Sequence, residues 1–136
     1  MIITNKKQIA TTNLDTAIEL FFDGKIIPSI NLASASEEVL GCLCKEAGID
    51  NVLKKMVEIA ERQTLPNKKI IDLLNETKNE IKHADKNTGE IEIDDLEAQL
   101  MIRRAVSNFI SLGYVTTPEI SKFIQWAMNN PMTKTD

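Results

Sequence analysis

The single histidine of the chain, His83, closes the string Asn75-Glu76-Thr77-Lys78-Asn79-Glu80-Ile81-Lys82-His83. Imidazole titrates near neutral pH and can move protons in acid–base catalysis. On a helical wheel His83 lies about 180° from Leu74. Asp72, Glu76, Asn79 and His83 then share one polar stripe, with Leu74 and Ile81 on the core side. A histidine so placed faces solvent or an interface, not the core of its own protomer. Such a stripe is ordinarily the wet face of an amphipathic helix. Read as a site, it has Asn79 and His83, one turn apart, acting together, with Asn79 holding an imidazole tautomer or binding a phosphate oxygen.

A second chemistry starts from Glu80-x-x-His83, the i, i+3 pair used by carboxylate-bridged di-metal bundles. Glu37, Glu38 and Glu97 fall on neighbouring predicted helices. A full site of that kind wants two such motifs, so a second protomer would have to bring the other histidine. Cys42 and Cys44 are two residues apart. On a helix they point about 200° apart and cannot bridge. The spacing is not Cys-x-x-Cys either, so reduced thiols in a cytoplasmic protein are expected. No glycine-rich phosphate loop or nucleophile elbow occurs, and aromatic residues are too few for a base-stacking platform. No cofactor is expected.

These residues have to be held by helices. The chain has 136 residues, 43% hydrophobic and 26% charged, with five glycines and four prolines. Length and composition suit one domain dominated by helix formers. Residues 1–12 are expected to be a flexible segment, 13–130 a single helical-bundle domain, and 131–136 a flexible tail. The first helix is predicted from Asn13 to Asp23, with Thr12 and Asp15 as a capping box and Gly24 as its stop. The second starts near Pro28 and ends at Gly48. Its expected face is Leu32, Val39, Leu40, Leu43 and Ala47, and the small residues Ala33 to Ser36 and Gly41 allow a close neighbour. Asp50 is expected to cap a third helix carrying Leu53 and Met56. A fourth runs from Pro66 to about His83, with Ile70, Ile71, Leu74 and Ile81 inward, before a turn at 85–89. Asp94-x-x-Glu97 opens a fifth, whose face is Ala98, Met101, Ile102, Ala105, Phe109 and Leu112. Thr117-Pro118-Glu119 opens a sixth. The fold expected is therefore all-α: an antiparallel bundle of five to six helices.

Four strings resemble small HEPN-like helical proteins: Ala17 to Gly24, Leu32 to Gly41, Asn75 to His83, and Glu97 to Asn108. The resemblance spans roughly residues 14 to 112 in pattern. It implies a helical bundle that dimerises, and a family in which many members are metal-independent ribonucleases or partners in defence and toxin–antitoxin pairs. The family signature is an arginine, four to six residues, then a histidine. The matching positions are Lys78, Asn79 and His83, with lysine where the family carries arginine. Lysine gives a phosphate a point charge in place of arginine's planar fork. Lys78 also sits about 140° around a regular helix from His83. The resemblance thus supports fold and dimerisation more than catalysis. It implies two copies of Asn79 and His83 across a two-fold axis. On that implication His83 is the general acid or base, Asn79 its positioner, and Lys78 or Lys82 a phosphate contact, with Glu38 or Glu76 orienting the imidazole. Arg103 and Arg104 are expected to be solvated on their helix, where they offer further charge to a nucleic acid.

Net charge is −4, which argues against broad, non-specific nucleic-acid binding. No apolar run approaches the ~20 residues of a membrane span. The N-terminal residues lack the apolar core of a secretory signal. Three functions are compatible with these residues. The first is a non-catalytic or weakly catalytic homodimer that binds a protein or RNA partner. The second is a metal-independent ribonuclease using His83 and Asn79. The third is a carboxylate–histidine metal bundle.

Overall fold

The computed structural model describes residues 1–61, 75–76, 90 and 92–131. Among them lie five helices: α1 (Lys6–Phe22), α2 (Ile26–Glu46), α3 (Val52–Glu61), α4 (Asp95–Ser111) and α5 (Pro118–Asn129). The all-α expectation holds for these residues, which include no strand. The helix expected from Pro66 to His83, with Ile70, Ile71, Leu74 and Ile81 inward, lies outside the described residues save for Asn75 and Glu76. The turn at 85–89 lies outside them too.

Helix α1 starts about two turns before the expected Asn13, so residues 6–12 are not a loose lead-in. Asn5 caps it, its side-chain oxygen accepting from the Gln8 N–H at 2.8 Å. Ala10 is fully buried, as is Leu14 a turn later, so the apolar face reaches back into the polar-looking start. Burial of that face decides the boundary over local composition. Asp15 takes no part in a capping box with Thr12. It accepts a 2.6 Å hydrogen bond from Thr117, far along the chain.

Helix α2 buries Leu40 as expected and packs Leu32, Val39 and Leu43 on the core, but the centre of its buried stripe is shifted toward smaller and polar residues. Leu32, Val39 and Leu43 are half-buried and Ala47 is exposed, whereas Ser29, Ile30, Ala33, Ser34, Ser36, Glu37, Leu40 and Cys44 are buried. The small residues let α1 approach closely. Ser29 Oγ donates to the Ala17 carbonyl at 2.7 Å, and Ser36 Oγ to the Ala10 carbonyl at 2.8 Å. These two pairs run in opposite order along the two helices, so α1 and α2 are antiparallel. By contrast, Glu37 pairs with Arg104 and Cys44 with the Asn108 carbonyl, in ascending order on both helices. Thus α4 runs beside α2 in the same sense, a parallel pair in a bundle expected to be mostly antiparallel.

Helix α3 is capped by Asn51, not Asp50. Asn51 Oδ1 accepts from the Lys54 N–H at 2.8 Å, while Asp50 pairs with the Lys54 ammonium at 3.0 Å. The Asp94–Glu97 capping box at the head of α4 forms as expected. Thr117 caps α5 and Pro118 occupies its first turn, also as expected. Gly113, at φ +75°, makes the left-handed turn between α4 and α5 that a residue with a Cβ would strain. Phe21, Phe22, Phe123 and Trp126 form an aromatic cluster where α5 lies on α1. The Phe21 ring meets Trp126 edge-on at 5.2 Å and Phe123 edge-on at 6.0 Å.

The serines of α2 generate a contrast in stability. Ser34 Oγ is buried with no hydrogen-bond partner, whereas Ser36 Oγ is satisfied. Ser36→Ala should cost about 1 kcal/mol, the net worth of a neutral hydrogen bond. Ser34→Ala should be neutral or stabilising, because it removes an unsatisfied hydroxyl. Urea denaturation of the two variants checks the difference. Equal losses would contradict it.

Candidate functional site

The core face of α4 carries two polar residues one turn apart, Arg104 and Asn108, among Met101, Ile102, Ala105 and Phe109. Arg104 is 1% exposed. Its Nε donates to the carboxylate of Glu37, which is itself buried on α2. Its Nη2 donates to Asn75 Oδ1 at 3.1 Å. Asn108 Oδ1 accepts from the Val52 N–H at 2.7 Å, at the first residue of α3. Asn108 Nδ2 donates to the Glu37 carbonyl at 3.5 Å. Three helices and Asn75 therefore meet at one buried polar node.

The node is structural chemistry. Guanidinium stays charged at any ordinary pH, so it can neither give nor take a proton in a reaction. Removing a charged pair from water costs several kcal/mol per ion, about offset only when geometry and extra hydrogen bonds are good. Here the carboxylate and the Asn75 amide supply those bonds. Beside the node, the Cys44 thiol donates to the Asn108 carbonyl at 3.7 Å. Burial pushes its pKa up, with Lys55 pulling the other way, so it is a poor nucleophile. Cys42 is exposed, and both cysteines are free thiols.

The residues singled out in the sequence fall in several places. Lys78, Asn79, Lys82 and His83 lie outside the described residues. Glu76 is exposed, next to the half-buried Asn75 that Arg104 holds. Glu38 is exposed on α2, beside the buried Glu37. The expectation of two solvated arginines fails for Arg104, which a core carboxylate draws inward. Arg103 is half-buried, and its Nη2 donates to the Asn130 carbonyl at 2.8 Å, tying α4 to the end of α5. Of the carboxylates considered for a metal, Glu37 pairs with Arg104. Glu97 closes the capping box, its Oε2 accepting from the Asp94 N–H at 3.0 Å. Among the described residues no group of three or more His, Cys, Asp or Glu side chains is placed to hold a metal ion.

Among the described residues, two surface grooves flank α5. One, of about 460 Å³, lies between α1 and α5 and is lined by Ile18, Phe22, Pro118, Glu19, Asp23, Glu119 and Lys122. The Lys122 ammonium sits over the Phe22 ring at 4.8 Å. Nearby, burial raises the Asp15 pKa above the usual carboxylate value. The Thr117 hydrogen bond opposes that shift, and the charges of Glu119 and Glu19 add to it. The other groove, of about 450 Å³, lies between α4 and α5. Its walls are Val106, Ile110, Phe123, Ile124, Ala127 and Met128, with Arg103, Ser107 and Ser111 as the polar members. None of the described helices is long and apolar enough to cross a membrane. No family model, curated protein or solved structure matches the chain.

The node and the Asp15 carboxyl each yield a measurable consequence. Arg104→Ala leaves the Glu37 carboxylate buried and bare, so it should destabilise the fold by about 3–5 kcal/mol in a denaturant melt. Replacing both partners, Arg104→Met with Glu37→Leu, should recover much of that loss. A double variant as unstable as the sum of its parts would contradict the pairing. For Asp15, a folded-state pKa above the unfolded one means that ionised Asp15 works against folding. The penalty is fully present above the raised pKa and is relieved as pH falls through it toward about 3.9, the usual carboxylate value. Asp15→Asn keeps an acceptor for Thr117. It should therefore raise Tm at pH 7 and lose that gain below about pH 3.9. A gain that does not depend on pH would contradict the assignment.

Proposed function

We propose that this chain is a cytoplasmic helical-bundle interaction module, HEPN-like in architecture and homodimeric, whose work is to hold a partner protein and not to cut RNA. The placement of the arginines carries the reading. Of the adjacent pair that a phosphate-facing surface would use, Arg104 is committed to Glu37 and Asn75 inside the core. Arg103 borders an apolar groove. A surface that takes polyanions instead presents clustered, accessible cations. The net charge of −4 points the same way. Exposed Ile110 and Met128, on neighbouring helices at that groove, are the kind of apolar surface that protein partners cover. A role in a defence or toxin–antitoxin pair, where helical proteins act by binding one another, belongs to the same proposal.

Two measurements on the purified chain test it. Light scattering should give twice the 15.2 kDa monomer mass. Incubation with RNA and chelator should leave the RNA intact. Cleavage that persists in chelator and disappears in a folded His83→Ala variant would replace this reading with the ribonuclease one. A monomeric mass would remove the homodimer from it.

A further inference from the structure

The groove between α4 and α5 has an apolar floor, Val106 and Phe123, and an apolar rim, Ile110, Ile124 and Met128. Ile110 is 51% exposed and Met128 is 78% exposed. Methionine at such a rim adapts its shape to what it meets. Among the described lining residues Arg103 is the one charged side chain. Its Nη2 bond to the Asn130 carbonyl fixes the guanidinium beside the groove. Its Nε is buried and makes no hydrogen bond. Native proteins leave few buried donors unsatisfied, and a cationic one is the costliest to leave so.

We infer that this groove is the docking surface for an amphipathic helix of a partner protein, one that lays apolar side chains between Ile110, Ile124 and Met128 and presents an Asp or Glu to Arg103. The inference rests on the interaction-module reading and gives that module a surface and a partner chemistry. Two neighbouring helices that splay apart leave a furrow that takes the apolar stripe of a third, with anchors at i, i+3 or i+4, and i+7. Charge decides whose helix it is. Among the described residues no carboxylate lines the groove. A second copy packed face to face across a two-fold axis would bring Arg103 toward its own equivalent, cation against cation, with no carboxylate among the described lining residues to separate them. A partner's carboxylate instead accepts from the guanidinium, in a charge-assisted pair shielded by the apolar rim.

The test pans a displayed library of helix-forming peptides, randomised along one face, against the full chain. Enriched peptides should carry an Asp or Glu one turn from a pair of large apolar residues. Their binding should fall about tenfold to a hundredfold in Arg103→Ala, as expected for a lost charged hydrogen bond. Arg103→Lys should restore only part of it, since lysine lacks the planar fork. Met128→Glu and Ile110→Glu, both at exposed positions, should also weaken binding while the helical circular dichroism stays unchanged. Enrichment without acidic bias, binding indifferent to Arg103→Ala, or no binders at all would overturn the inference. So would a dimer that falls apart in Met128→Glu, because a second copy would then be the occupant. Binders that map elsewhere sink the groove alone. The module reading fails on a different observation, His83-dependent cleavage of RNA.

Discussion

Neither member of the Glu37–Arg104 pair can be removed alone without leaving a charge inside the bundle. Glu37 comes from α2 and Arg104 from α4, and their side chains are 5% and 1% exposed. A buried ion pair adds little net stability compared with a well-packed apolar pair, but it is intolerant of a wrong arrangement. Only one register of α2 against α4 brings the two side chains together. That register in turn sets Asn108 beside the Glu37 carbonyl and the first N–H of α3. The pair thus selects an arrangement that the surrounding aliphatic contacts, which are not directional, leave open.

The other half of the bundle is assembled by proximity. α1 and α2 carry alanines and serines where they meet, so their backbones come close enough for serine hydroxyls to reach main-chain carbonyls across the interface. α5 is then laid on α1 by the Phe21–Phe123–Trp126 aromatic contacts at one end and the Thr117–Asp15 hydrogen bond at the other. The α4–α5 groove follows from this. With its aromatic side turned to α1, α5 leaves Ile124 and Met128 on the side facing α4 and solvent, and Arg103 clasps its last turn.

Much of this fold is written in local signals. Asp94 with Glu97, and Thr117 with Pro118, state where α4 and α5 begin, because capping satisfies the first N–H groups of a helix within a few residues. The apolar face of α4 is also plain from its periodicity. The start of α1 is harder to see, since Asn5 stands in a polar run and Ala10 is the first buried residue. Arg104 is harder to place. It lies three residues after Met101 and four before Asn108, squarely on the buried stripe, but its residue type points to the surface. Glu37 occupies the matching place on α2, seven residues after Ile30 and seven before Cys44. Two opposite charges on facing core stripes signal a buried pair, although sequence alone does not say which helices face each other. The stripe ending at His83 carries most of the catalytic reading, and Glu76 is where the described residues meet it.

The account turns on Arg104 being an internal tie and not a phosphate-facing cation. Nitrogen-15 NMR of the arginine side chains reads this directly. The Arg104 Nε–H should give a resolved resonance protected from exchange with water, and its shift should not move when an RNA oligonucleotide is added. An Nε–H that exchanges as fast as that of free arginine, or that shifts with RNA, would contradict the account and return Arg104 to the surface.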